Sequence, residues 1–340
     1  MDYEKLFLQL CKKKNVIGVS QELKPRIRNG KIVSNERVIR VYVVKKLPES
    51  CLAPEDIVPK TIDGVSTDVV EIGEVKALDE PTVYVSGNVD KTKKFRPVKL
   101  GVSVGHWNIT AGSLGMLYES GGEIFAGSNA HVLTPDPSLK PEQILEKRIC
   151  QPGPYHDSNK EDNVVGRYYW HDRIIPEGEN TSCSISNGIV NVLNWIYRVL
   201  KRKTRFKTYS MDVFNYQDFA VYIPTVDHKI ETADNSLGYE PFIGHLFAGS
   251  SSVGVICKVK YAIEKGYYPE IQPYMNVKDG DRVKGCSFWC HYETHVIDSS
   301  AICRVSYGTY NAVFKDVILV HNDDVIRGGW SGSGFRYIER

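Results

Sequence analysis

Short apolar segments separated by turn residues are the main pattern along this chain, and they predict β-strands. In the first part, segments rich in Val and Ile occupy residues 15–24, 37–48 and 64–75, with turn residues between them. Residues 1–14 predict one short helix that precedes these strands. Residues 1–90 are therefore interpreted as a helix followed by a small α+β module.

The pattern changes near the middle of the chain. Residues 78–100 are rich in Pro, Gly and Lys and predict a linker, and from Gly101 short apolar segments are separated by Gly, Asn and Asp. Many short strands at this spacing predict a barrel or a pair of packed sheets. Residues 187–206 differ, because their apolar positions recur at helical spacing and end in a basic cluster. They predict one surface helix inserted in a β domain.

Composition narrows the class of protein. The chain has 340 residues, of which 42% are apolar, which is enough for a sizeable core. Lys and Arg together number 43, and Asp and Glu number 41, so no global charge favours nucleic acid or an acidic membrane as the partner. The N-terminus does not resemble a secretory signal, and no apolar run approaches the roughly 20 residues that span a bilayer. The sequence predicts a soluble, cytoplasmic protein whose eight scattered cysteines are thiols.

Three segments carry residues suited to acyl transfer on a serine. Such chemistry needs a nucleophile, a base, a carboxylate that orients the base, and backbone N–H groups that hold the oxyanion. Ser331 lies in the glycine-rich stretch "IRGGWSGSGF", His131 follows an apolar strand in "AGSNAHVLTP", and Asp218 begins one in "NYQDFAVYIP". Asp212 is a rival for the carboxylate. The backbone N–H groups of Gly329 and Ser331 are the expected oxyanion hole.

These segments resemble the trypsin-like serine peptidases of the chymotrypsin fold, whose catalytic residues follow the same order of His, Asp and Ser. "GSNAHVL", "DFAVYIP" and "GGWSGSG" are similar to the three motifs of that family. The resemblance narrows to a branch of bacterial and archaeal trypsin-like proteins related to the plant narrow-leaf proteins. In that branch a module similar to residues 43–75 precedes the peptidase, and segments similar to residues 149–170 and 191–206 follow the catalytic histidine. The resemblance covers most of residues 15–335.

The resemblance implies a mainly β chain with a chymotrypsin-like double β-barrel, a small N-terminal α+β module and one inserted helix. The units are residues 1–90, a first barrel at 91–230 with the helix near 187–206, and a second barrel at 231–340. The implied function is a serine endopeptidase that forms an acyl-enzyme on a protein or peptide substrate. No cofactor, metal, nucleic acid or membrane is expected, and a homo-oligomer is left open.

The resemblance also assigns a specificity pocket. In trypsin-like folds the base of this pocket lies six residues before the nucleophile, which here is Val325. An apolar base cannot pair with a buried Lys or Arg side chain, so cleavage after uncharged, mainly apolar residues is expected. Asp323 and Asp324 lie close by in sequence and are the alternatives.

Two departures from the family pattern stand out. Trp330 occupies the position where the family has an aspartate before the nucleophile. The segment that supplies the substrate-pairing strand, which follows the serine in relatives, is similar here to residues 243–264, before the serine. Either the protease is truncated or the element is transposed, and transposition is preferred. Phe247, Ala248 and Gly249 are then predicted to line the substrate cleft.

Other interpretations of the chain come from different classes. A pseudoprotease would use the same fold as a peptide-binding or assembly scaffold, and a purely structural oligomer subunit would bind no peptide. The stretch "CSFWCHYETH" suggests zinc, but adjacent strand residues point to opposite faces, so ordinary packing is favoured over a site of Cys286, Cys290, His291 and His295. The basic run at residues 198–207 is interpreted as a solvated surface rather than a site for an anionic polymer or lipid.

Overall fold

The computed structural model describes residues 1–28, 31–77, 89–109, 111–178, 184–199, 204, 213–237, 241–258 and 277–339. The protein is mainly β, as the sequence predicted. Its strands form a twelve-stranded sheet, a seven-stranded sheet and a separate two-stranded pair. In the described ranges, none of the helices has the length and apolar character needed to cross a membrane.

The N-terminal part is a helix packed on strands. Helix α1 begins after Asp2, whose carboxylate accepts a hydrogen bond from the Lys5 amide at 3.0 Å and thereby caps the helix. It buries Leu6, Phe7 and Leu10 against the sheet. The elements are α1 (Tyr3–Leu10), β1 (Val16–Ser20), β2 (Lys24–Arg28), β3 (Lys31–Val43), two 3-10 turns (Glu49–Cys51 and Pro54–Asp56), β4 (Thr61–Ile62), β5 (Val65–Glu71) and β6 (Lys76–Ala77).

The middle of the chain forms the seven-stranded sheet, which curves into a half-barrel around its own apolar core. The predicted linker ends in a strand, β7 (Val98–Leu100), which pairs in parallel with β15 (His228–Thr232). The sheet runs in the order β10-β11-β14-β13-β12-β8-β9. Its members are β8 (Ser103–His106), β9 (Gly112–Ser113), β10 (Met116–Ser120), β11 (Glu123–Ser128), β12 (Arg148–Cys150), β13 (Val164–His171) and β14 (Ala220–Pro224).

Helices are few in this middle part. A single turn, α2 (Ala130–Leu133), follows β11, and 3-10 turns lie at Pro141–Gln143 and Glu161–Asn163. The predicted inserted helix is present as α3 (Ser184–Val199), which begins before the predicted start at residue 187, and Thr204, inside the predicted range, is not helical. The end of the predicted helix, at residues 200–203 and 205–206, lies outside the described residues.

The last part of the chain forms a partly closed ring of antiparallel strands. The pairing runs β18-β21-β16-β17-β20-β19, and β18 also pairs with β19. The strands are β16 (Phe242–Gly249), β17 (Val253–Lys258), β18 (Arg282–Cys286), β19 (His291–Ser306), β20 (Asn311–His321) and β21 (Gly334–Glu339).

The N-terminal strands extend this ring into the twelve-stranded sheet. Strand β1 pairs with β19, where Gly18 lies opposite Cys303, and β3, β5 and β4 follow in order. Strands β3 and β5 are parallel, so the chain crosses over between them through the two 3-10 turns. Hydrogen bonding thus crosses the predicted boundary at residue 90, and the division into units at 90 and 230 stays a prediction.

A buried ionic cluster attaches the N-terminal module to β19. The Lys24 ammonium, which is 2% exposed, lies 3.1 Å from the fully buried Asp298 carboxylate and 2.7 Å from Asp279. Tyr42 donates its hydroxyl to Asp298 at 2.5 Å. Burial raises the pKa of Asp298 above its usual range, against the opposing effect of the Lys24 charge. The cluster is thus a set of interdependent buried groups.

Replacing Lys24 with Met should therefore destabilise the protein strongly. The variant leaves the Asp298 carboxylate buried without its cation, which costs about 3–5 kcal/mol of unfolding free energy. The matched control is Arg282→Met, because Arg282 is half exposed and pairs with Glu293 at 3.1 Å, so its loss should cost about 1 kcal/mol or less. Urea denaturation measures both. If both variants lost the same small amount of unfolding free energy, the stabilising role of the cluster would be contradicted.

Candidate active site

The structure brings His131 and Asp218 into direct contact, although 87 residues separate them. Strands β11 and β14 pair with Ser128 opposite Ala220, so the residues after β11 lie beside those before β14. His131, on α2, approaches the Asp218 Oδ2 atom with its Nδ1 atom at 2.5 Å. Asp218 is fully buried and His131 is 8% exposed. Asp212, the rival carboxylate, lies outside the described residues.

The Asp218 carboxylate is held by hydrogen bonds from several elements. Its Oδ1 atom accepts from the backbone N–H groups of Ala130 at 2.6 Å and His131 at 3.2 Å, and its Oδ2 atom accepts from the Tyr307 hydroxyl at 2.7 Å. Burial by itself would raise the pKa of Asp218, but the His131 charge and these hydrogen bonds lower it overall. The carboxylate is therefore ionised and fixed in orientation.

Tyr307 is a site residue that the sequence analysis missed. It lies directly after β19, and its hydroxyl reaches Asp218 from the ring of strands. Its ring lies edge-on to the imidazole of His131, with 6.0 Å between the centroids. Its pKa is raised well above the usual value, first by burial and then by the Asp218 charge, so the hydroxyl keeps its proton. The turn "SYGTY" carries no sequence signal for this role.

Ser331 lies in a tight turn between β20 and β21. Gly329 and Gly332 on either side have φ of 95° and 86°, the left-handed region that favours glycine. A Cβ on Gly332 would also lie only 2.4 Å from the Ser113 carbonyl oxygen. The turn is bound to its surroundings, since the Ser331 carbonyl accepts from the Ser113 amide at 2.7 Å and the Gly332 amide donates to the Leu246 carbonyl at 2.9 Å. Both glycines are therefore required by the backbone.

The serine turn packs on the segment that carries His131. A Cβ built on Gly112 would lie 2.4 Å from the side chain of Val132 and 2.7 Å from the carbonyl oxygen of Ser331, so both approach the same glycine. The side chain of Asn129, two residues before His131, donates to the Leu246 carbonyl at 2.9 Å, and this carbonyl also binds the Gly332 amide. The segments of His131, Asp218 and Ser331 therefore meet at one place.

Hydrogen bonds fix the peptide groups proposed for the oxyanion hole. The Gly328 carbonyl accepts from the Trp289 indole N–H at 2.8 Å, and the Trp330 carbonyl accepts from the Ser333 amide at 2.9 Å. In a trans peptide the N–H points away from the carbonyl. The N–H groups of Gly329 and Ser331 are thus directed away from Trp289 and Ser333, respectively.

Trp330 anchors the turn by burial. Its side chain is fully buried and lies near Phe335 and Tyr292, with ring centroids 6.1 and 6.5 Å apart. The position that holds an aspartate in the resembling family is thus filled here by an apolar contact. The turn is attached through the core rather than through an ion pair.

The residues predicted for the specificity pocket lie in the loop before the serine. Val325 is partly buried, and its amide donates to the Asn322 side chain at 2.9 Å. Asp323 pairs with His321 at 2.8 Å, and Asp324 pairs with Arg327 at 2.6 Å. The side chains of Asp323 and Asp324 are largely exposed, whereas the apolar side chain of Val325 is partly buried.

Strand β16, which covers the first part of residues 243–264, lies beside the serine turn, and the transposition stays a hypothesis. The Leu246 amide donates to the Ser333 carbonyl at 3.0 Å, and the Leu246 carbonyl accepts from Gly332. The three residues predicted to line the cleft differ in environment. Phe247 packs its ring into the core against Phe314, with 4.6 Å between centroids, whereas Ala248 and Gly249 pair with β6. Residues 259–264 of the segment lie outside the described residues.

His245 is a second site residue that the sequence analysis missed. Its Nδ1 atom lies 3.0 Å from the Gly332 carbonyl oxygen, and its Nε2 atom contacts the Tyr118 hydroxyl on β10. Complete burial lowers its pKa to about 4, so the imidazole is neutral near pH 7 and can donate to one group and accept from the other. His245 thus connects the half-barrel to the serine turn. A histidine inside the apolar strand "FIGHLFAG" was the available signal.

The four residues of the alternative metal site lie in different environments. Cys286 and Cys290 are buried, His291 is exposed, and His295 stacks on His321. Cys286 instead contacts the buried Lys91 ammonium at 3.2 Å. Across the parts of the chain that the structure describes, no three His, Cys, Asp or Glu side chains are grouped to hold a metal ion.

Comparison with known proteins identifies no family. A scan against protein-family models finds no match, and a search of the curated proteins finds no significantly similar sequence. The site is therefore interpreted from its own geometry.

Replacing His245 with Gln should change how stability depends on pH. The folded-state pKa of His245, about 4, lies below the unfolded value of about 6.5, so below pH 6.5 the unfolded chain binds the extra proton. Wild-type stability should fall as pH drops from 6.5 to 4, and the variant should lose about 3 kcal/mol less over that interval. His291→Gln, at an exposed position, is the control. Urea titrations with parallel pH profiles for wild type and His245→Gln would refute this.

Proposed function

We propose that the protein is a trypsin-like serine endopeptidase in which Ser331 is the nucleophile, His131 the general base and Asp218 the orienting carboxylate. The observation that carries the proposal is the contact of 2.5 Å between His131 Nδ1 and the buried Asp218 carboxylate. The serine turn packs on the same segment and has the glycine geometry that a nucleophile turn needs.

The proposed mechanism assigns one task to each group. Because Asp218 binds the Nδ1–H of His131, the Nε2 atom carries the lone pair that accepts the Ser331 proton during attack on the peptide carbonyl. His131 then donates this proton to the leaving amine, and water hydrolyses the acyl-enzyme by the same route. The lowered pKa of Asp218 keeps its carboxylate ionised, so that it stabilises the imidazolium. No cofactor takes part.

The N–H groups of Gly329 and Ser331 are the proposed donors to the oxyanion. The carbonyls of the preceding residues are held by Trp289 and Ser333, which fixes both peptide planes before substrate binds. Fixed donors need no reorganisation as charge develops, and this is the main source of their effect on the rate.

The proposed architecture is the chymotrypsin-like double barrel. The half-barrel at residues 103–224 contributes His131 and Asp218, and the ring at residues 242–339 contributes Ser331. In this proposal the reacting groups lie where the two parts meet. The proposed substrates are proteins or peptides.

A fluorophosphonate probe tests the nucleophile, because only an activated serine reacts with it. Wild type should be labelled, and Ser331→Ala and His131→Ala should each abolish labelling with the fold retained. Combining the two should cost little more than either alone, since the residues act as a unit. The matched control is Ser333→Ala, which removes a neighbouring buried hydroxyl and should leave labelling intact. Undiminished labelling of Ser331→Ala, read by intact mass, would disprove the assignment.

The second candidate is a pseudoprotease that binds peptides without cleaving them. The observation that favours it is Trp330, which stands before the serine where the resembling family has an aspartate. This candidate predicts peptide binding without labelling. A purely structural subunit would neither bind peptide nor be labelled.

Cleavage specificity follows from Val325. An apolar pocket base leaves a Lys or Arg charge unpaired, so a peptide library should be cleaved mainly after uncharged, apolar residues. Val325→Asp should shift cleavage toward Arg and Lys by supplying a partner carboxylate. Asp323→Asn serves as the control and should leave the profile unchanged. The products are identified by mass spectrometry. If wild type cleaves chiefly after Arg or Lys, the base of the pocket is Asp323 or Asp324 rather than Val325.

A further inference from the structure

Strand β16 pairs with one strand along its first edge and with two segments along its second edge. Along the first edge it pairs with β17. Along the second, residues 242–245 pair with β21, which follows the serine turn, and Ala248 and Gly249 pair with β6. The part of the second edge that lies beyond the serine turn is therefore occupied by two residues of the N-terminal module.

The register and direction of β6 are those of an added peptide strand. Ala77 lies opposite Ala248, Lys76 lies opposite Gly249, and the pairing is antiparallel. From Lys76 to Ala77 the chain therefore runs along β16 toward Leu246. The carbonyl and the amide of Leu246 bind the serine turn. Two residues of strand span about 7 Å, so this pairing lies within reach of Ser331. Extended peptides bind exposed sheet edges by this kind of pairing.

Burial rather than a long ladder holds the segment in place. Ile72, Val75 and Ala77 are buried in the same apolar cluster as Phe247 and Ala248. The Val75 carbonyl accepts from the Ser306 amide at 3.0 Å, and the Ile72 carbonyl accepts from the Ser250 hydroxyl. The Lys76 side chain is more than half exposed and pairs with the exposed Glu74. The strand itself is two residues long, so the pairing with β16 is short.

We propose that Lys76–Ala77 is a built-in occupant of the substrate-pairing edge of β16, and that a peptide must displace it to reach Ser331. The inference rests on the proposed peptidase function and names the regulation of that site. A peptide that displaces β6 regains the two-residue pairing with β16, whereas the burial of Ile72, Val75 and Ala77 continues to favour β6. A tethered segment competes at an effective concentration in the millimolar range. The N-terminal module therefore raises KM for peptides and leaves kcat unchanged.

A reversible lock tests whether β6 blocks the edge. The double variant Ala77→Cys/Ala248→Cys places two thiols opposite each other on neighbouring strands, at a separation that a disulfide can bridge. Oxidation should abolish turnover of a peptide of about ten residues, and dithiothreitol should restore it. Labelling of Ser331 by a small fluorophosphonate should persist in both states, since it needs no strand pairing. The single variant Ala77→Cys, treated identically, is the control.

A release variant tests the same proposal in the opposite direction. Val75→Asp puts a charge where Val75 is now 2% exposed, which should expel the segment from the apolar cluster. KM for the peptide should fall on the order of tenfold, with kcat and the labelling rate unchanged. Lys76→Ala, which removes only an exposed side chain, should behave as wild type. Circular dichroism confirms that each variant is folded, and the lock experiment stands if Val75→Asp is not.

The two proposals fail in different ways. Absence of labelling in wild type would overturn the peptidase function itself. Labelling that persists while the oxidised lock variant turns over peptide as fast as the reduced one would overturn the built-in occupant alone. Cleavage of the chain within residues 76–88 would also overturn it, because the segment would then be a substrate rather than a competitor.

Discussion

The buried Asp218 carboxylate is the interaction on which the arrangement of the site depends. A fully buried charge is costly unless it is hydrogen-bonded, and here the donors are two amides of the α2 segment, the His131 ring and the Tyr307 hydroxyl. Because Tyr307 comes from the ring of strands and α2 from the half-barrel, satisfying one carboxylate requires the two parts to meet. The same hydrogen bonds to Asp218 therefore join the two parts of the fold and orient the His131 imidazole.

Strand β16 is the second constraint. Its Leu246 binds the serine turn through both carbonyl and amide, its His245 holds the Gly332 carbonyl, and its far end takes up β6. A single strand thus binds the turn that carries Ser331 and supplies the edge that we propose for a peptide.

The N-terminal module belongs to the same structural unit as the candidate site. Its strands continue the sheet through β19, and the Lys24 and Asp298 contact buries an ion pair at the junction. Separating the module would expose a sheet edge and leave a buried carboxylate unpaired. The regulatory role proposed for Lys76–Ala77 follows from this permanent attachment, which keeps the segment at high local concentration.

The sequence by itself determined the mainly β class, the position of the inserted helix and the glycine-rich turn around Ser331, because these depend on local apolar periodicity and backbone sterics. It also selected His131 and Asp218, by motif and order along the chain. Only the tertiary structure decided that the two side chains touch, that Tyr307 and His245 belong to the site, and that β6 pairs beside it. Those features arise from strand pairing and from the need to satisfy buried polar groups, which join residues far apart in sequence and leave no periodic pattern within either segment.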